Sequence, residues 1–94
     1  MQIQIELFGL AKMIAQTGLV TLEVEDGATY KAIVERLAEQ YPDFVGPLIS
    51  PDTLTLLNCT VFVRNQKDMI TQEQVHESPA PGDRLSLLTV IVGG

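Results

Sequence analysis

Cysteine is nearly absent from this chain: Cys59 is alone among 94 residues. A single thiol excludes an internal disulfide and any four-cysteine zinc or iron–sulfur site. Tryptophan is missing, and with two tyrosines and three phenylalanines the core has to be built mainly from aliphatic side chains. Basic residues are scarce, six against twelve acidic ones, for a net charge of −6. Affinity for nucleic acid comes from neutralised phosphates, so that balance argues against a nucleic-acid partner and suits a protein that meets basic protein surfaces. No segment approaches the roughly 18 consecutive apolar residues that would suggest a membrane span. The N-terminal Met1-Gln2-Ile3-Gln4-Ile5-Glu6 alternates, without the basic start and apolar stretch of a signal peptide. The expected location is the cytoplasm, with no membrane partner. The lone His76 lies in a polar segment with no cysteine or second histidine near it, so no metal site is expected. No nucleophile–base pair and no phosphate-binding glycine loop is visible, and the chain is not expected to be an enzyme on its own.

What is present is strong patterning. Gln2 to Phe8 alternates strictly, with Ile3, Ile5 and Leu7 on one face, and Gly9 ends the run. A short helical turn is expected from Leu10 to Gln16. Leu19 to Glu25 alternates again, so the two runs read as a hairpin. Asp26-Gly27 is a turn, and Thr29 is a good N-cap for a helix through Tyr41. Its core stripe is Tyr30, Ile33, Val34, Leu37, Ala38 and Tyr41, and Pro42 stops it. Residues 42 to 53, with three prolines and a glycine, read as an ordered loop. Leu57 to Arg64 reads as a third strand with Leu57, Cys59, Val61 and Val63 turned inward, making Cys59 a buried, inert thiol. Met69-Ile70 suggests a very short strand. Pro81-Gly82 suits the middle of a type II turn ahead of a last strand from about Arg84.

One main helix over one face of a mixed sheet is an α+β layer architecture. With the last strand placed centrally, it is the β-grasp, or ubiquitin-like, topology. The whole chain, 1–94, is expected to form one such domain, with 91–94 as an extended tail. Gly93-Gly94 follows an apolar strand directly. Glycine there gains no stability, but it leaves a backbone without side chains that fits a narrow slot. Ile91, Val92, Gly93 and Gly94 together reach at most about 13 Å, enough to thread into a partner's pocket and present the Gly94 carboxylate for activation.

Several segments resemble the MoaD/ThiS family of ubiquitin-like sulfur carriers. They are Leu7-Phe8-Gly9-Leu10-Ala11-Lys12, the turn and helix starting at Asp26-Gly27-Ala28-Thr29, the strand led by Gly82-Asp83-Arg84, and the terminal Gly93-Gly94. Length and the N-terminal half are most similar to the small subunit of molybdopterin synthase, whereas Val90-Ile91-Val92-Gly93-Gly94 is closer to the ending of thiamine sulfur carriers. The resemblance implies that an E1-like enzyme, using ATP and Mg, adenylates the Gly94 carboxylate and that sulfur then replaces AMP to give a thiocarboxylate. No cofactor would be held stably. The implied acceptor is the large subunit of molybdopterin synthase or another sulfur-accepting synthase. Thiamine-thiazole or cysteine formation and ubiquitin-like protein modification are the alternatives.

Strand parity predicts a second feature. Phe8, Phe62, Leu88 and Val90 fall on the face opposite the helix, where a contiguous apolar patch would mark a partner interface, unless the 42–56 loop folds over it. Arg64, Lys67 and Arg84 are candidate rim contacts.

Overall fold

The computed structural model describes residues 1–57 and 59–90. The chain runs β1 (Gln2–Leu7), α1 (Gly9–Ala15), β2 (Leu19–Glu23), α2 (Tyr30–Gln40), β3 (Thr60–Arg64), β4 (Asp68–Met69) and β5 (Leu85–Thr89). Short 3₁₀ turns occupy Pro42–Phe44 and Gln72–Gln74. The sheet order is β2-β1-β5-β3-β4, which puts the last strand in the centre. β5 is parallel to β1 and antiparallel to β3. This is the expected mixed sheet.

Local chemistry explains the main elements. In β1, Ile3, Ile5 and Leu7 are buried while Gln2 and Gln4 are exposed, as period-two alternation requires. The β1–β2 hairpin pairs Ile3 with Leu22 and Ile5 with Val20, so both strands send their apolar sets inward together. Thr29 caps α2 through its hydroxyl, which accepts from the Ala32 N–H at 3.1 Å. Two further free amides of the first turn, Tyr30 and Lys31, donate to the Glu77 and Val75 carbonyls. These bonds tie the irregular 71–80 segment to the helix start. Ile33, Val34 and Leu37 of α2 pack on the sheet in one core with Leu85 and Leu87 of β5. Gly82 has φ +85, and Asp83 N–H bonds the Ala80 carbonyl, the geometry of the expected type II turn.

Three expectations need correcting. β3 begins at Thr60, not Leu57, because Thr60 N–H turns back to the Leu57 carbonyl and Cys59 adopts φ +70. The strand's parity then follows Phe62, which lies opposite Leu87 and is 2% exposed. Phe62 is a core residue in tilted ring contact with Tyr30, not part of an outer patch. Cys59 is exposed, not buried. The 42–56 loop also does more than connect: Phe44, Leu48 and Ile49 are fully buried and belong to the core.

Candidate functional site: the open sheet face and the root of the tail

The sheet face opposite α2 is built row by row from the register. Leu19, Glu6, Ser86, Val63 and Met69 form one row across all five strands. The neighbouring row holds Val61 opposite Leu88. Phe8 continues it, because Leu7 pairs with Leu87 and the Phe8 N–H bonds the Leu87 carbonyl at 3.1 Å. Val90 lies two residues beyond Leu88 on the same side, and its N–H bonds the Cys59 carbonyl. Phe8, Leu19 and Met69 are each about half exposed, and Leu88 and Val90 are partly so. The structure therefore brings together three of the four expected interface residues, Phe8, Leu88 and Val90, and replaces Phe62 with Val61.

The candidate rim residues separate. Arg84 is exposed on the open face, where with Gln4, Glu6 and Leu19 it lines a shallow hollow. Lys67 is exposed in the β3–β4 turn. Arg64 lies opposite the inward-facing Leu85 and turns to the helix side. Its guanidinium donates to the Tyr30 hydroxyl at 3.4 Å and pairs with Asp68 at 3.5 Å, so it braces the fold there and is no rim contact of the open face. The Tyr30 hydrogen bond is the main reason the guanidinium is held above its ordinary pKa. Burial raises the Tyr30 phenol in turn, against the opposing pull of Arg64. Asp83, in the turn before β5, accepts from Asn65 at 3.0 Å and from the Ala80 amide at 2.8 Å. These two bonds hold its carboxyl below the usual range.

Sequence reasoning missed Val61, Val63, Met69 and Leu19 as members of this face. No alternation within Thr60–Arg64 marks Val61 and Val63, because the inward face of that strand carries Thr60 and Arg64 beside Phe62. Ile91, Val92, Gly93 and Gly94 lie outside the described residues, as does Asn58. Among the described residues no group of three His, Cys, Asp or Glu side chains is placed to hold a metal ion, and no helix is long and apolar enough to cross a membrane.

What the arrangement offers is an apolar band on a solvent-facing sheet, with the end of the central strand at its border. The model of the ThiS family matches residues 5–94, and the chain belongs to that family of ubiquitin-like sulfur carriers or modifiers. No curated protein sequence matches it. Solved structures share the fold. SAMP1 from Haloferax volcanii superposes with TM-score 0.81 at 22% identity, covering 100% of both chains. A putative molybdopterin converting factor, subunit 1, from Pyrococcus furiosus gives TM-score 0.73 at 13% identity over 96% of this chain and 98% of its own. A chain of the Amycolatopsis orientalis BexX/CysO complex gives 0.70 at 16% identity over 98% and 99%. The fold is thus the β-grasp of ubiquitin-like proteins.

Proposed function

We propose that this protein is a sulfur carrier that works through the Gly94 carboxylate. An E1-like enzyme would use MgATP to form the acyl-adenylate with release of pyrophosphate. Attack by sulfide would then expel AMP and leave a terminal thiocarboxylate. The observation that carries this reading is the family match, which extends through the Gly93-Gly94 ending, taken with the central position of β5, the strand that leads to it. Phe8, Leu88, Val90 and Val61 would be gripped by the partner, which places the start of the tail at the edge of its contact. Ile91, Val92 and Gly93 would lie in the threading slot. ATP and Mg belong to the activating enzyme. The acceptor of the sulfur is the large subunit of molybdopterin synthase in the leading version; thiamine-thiazole or cysteine synthesis would use the same carrier chemistry.

A second reading, a ubiquitin-like modifier joined to lysines through Gly94, draws support from the likeness to the H. volcanii small archaeal modifier protein 1. Both begin with adenylation. Intact-mass analysis after incubation with an E1-like enzyme, MgATP and sulfide tests the carrier reading. Sulfur should replace one oxygen at Gly94, and one residue appended after Gly94 should abolish this without changing the circular dichroism. Unchanged mass with a competent activating enzyme overturns it, and covalent adducts to other proteins without a free thiocarboxylate select the modifier.

A further inference from the structure

Away from the open face, a cavity of about 310 Å³ lies between α2, the outer edge of β3 and the segments 54–57 and 69–75. That volume is at the small end of the range for ligand pockets. The register fixes what its floor presents. Cys59 turns its carbonyl to Val90 in the β5 direction, so Val61 and Val63 do the same, and Thr60 and Phe62 turn their backbone groups to the outer edge. There, Thr60 N–H bonds Leu57 at 3.0 Å and the Phe62 carbonyl accepts from Ile70 at 2.8 Å. The Thr60 carbonyl and the Phe62 N–H have no backbone partner among the described residues. Strand β4 is two residues long and pairs only with Val63 and Arg64, so the β3–β4 ladder stops short of these two groups.

The two residues are 6% and 2% exposed. Buried backbone groups without partners are costly and normally find one. The walls are also strained, because Leu54 and Cys59, both lining the cavity, hold φ of 52° and 70°. Bulky residues pay for that conformation, and such strain gathers at binding sites. Charge gives a further constraint. The chain carries −6, yet among the described residues the only charged side chain lining the cavity is Lys31. Its ammonium bonds the Thr53 carbonyl at 3.0 Å and stands 3.7 Å from Glu35.

We propose that the β3 edge binds an extended peptide segment by strand addition, with an apolar side chain in the cavity and an acidic side chain at Lys31. One residue of a strand parallel to β3 would give its N–H to Thr60 and take the Phe62 N–H on its own carbonyl. An antiparallel strand would meet the same two groups with two residues, each left with one group facing a position already bonded.

The test is an NMR titration of the full chain, its Gly94 carboxylate unmodified, with a capped peptide of alternating valine and aspartate. No activating enzyme or sulfur source enters it, so its outcome is independent of the carrier reading. Shifts should concentrate at Lys31, Thr60, Val61 and Phe62, with slowed exchange of the Phe62 amide and weaker binding as salt is raised. Lys31→Glu, checked for an intact spectrum, should weaken binding roughly tenfold, the scale of reversing one exposed ion pair. The same peptide N-methylated at alternate residues should not bind. Absence of shifts at millimolar peptide overturns the proposal. So do shifts confined to Phe8 and Leu88, equal binding of the N-methylated peptide, or unchanged affinity of the Lys31→Glu protein.

Discussion

Phe8 and Phe62 belong to opposite faces of one sheet, and a pair of alanine substitutions separates them. The Phe62 ring is 2% exposed and packs on Tyr30 with ring centroids 6.2 Å apart. Its neighbours in the register, Leu87 and the strands beside it, are held by the core and cannot close fully around a void. Phe62→Ala should therefore cost about 3–5 kcal/mol, transfer loss plus cavity. Phe8 is 47% exposed and makes no side-chain capping bond to α1. Its truncation removes only part of a phenyl group's burial, about 1 kcal/mol. For a domain of this length each kcal/mol moves Tm by roughly 5 °C, so the first variant should melt about 15–25 °C lower and the second about 5 °C lower. Urea unfolding with unchanged m-value reads both free energies directly. The functional readout should run the other way: Phe8→Ala, still folded, should lose affinity for the activating partner. A Phe62→Ala protein no less stable than Phe8→Ala would refute the face assignment of β3, and with it the apolar band drawn through Val61 and Leu88.

Asp83 supplies a pH-dependent contribution. Hydrogen bonds from Asn65 and from the Ala80 amide lower its folded-state pKa, so its stabilisation is complete above the ordinary carboxylate range and is lost as pH falls through the lowered value. Asp83→Asn should be less stable than the native protein at neutral pH, and the gap measured by urea unfolding should close on acidification; a constant gap contradicts this. Hydrogen exchange tests the topology. Leu87 and Leu88, in a strand paired on both sides, should exchange only through global unfolding, and exchange as fast as in the edge strand β2 would be inconsistent with a central β5.

The sequence was readable wherever polar residues mark the alternate positions. Gln2, Gln4, Thr21 and Glu23 fix the faces of β1 and β2, and Thr29 fixes the start of α2. Val61-Phe62-Val63 carries no such mark, because three consecutive apolar residues are compatible with either parity. The deciding fact is the left-handed conformation of Cys59, which costs any side chain energy and leaves no pattern in composition. One residue of slip exchanged Phe62 for Val61 and also misplaced Arg64 and Cys59. The 42–57 segment hid its core residues for a different reason. Phe44, Leu48 and Ile49 are buried without helical or strand period, held by bridges from Ile49 to Val45 and Leu56. Only the partners of those bridges, distant from any repeating element, determine which side chains point inward.

The position of β5 connects fold to function. A partner that threads a chain end pulls on the strand behind it. An edge strand has one ladder of hydrogen bonds and can be peeled from its sheet. β5 has two, to β1 and to β3, and it anchors Leu85 and Leu87 at 1% and 0% exposure. The Val90 N–H extends the β3 ladder one step further, to the Cys59 carbonyl. Load on the terminus is thus shared across the middle of the sheet in shear, where several bonds must break at once. The same strand presents Leu88 to the outer face, so the residue proposed to meet the partner and the residues that would resist the pull are neighbours on one backbone. On the proposed carrier reading, a domain that is gripped, threaded, charged and released gains from a reactive end attached to its doubly paired central strand.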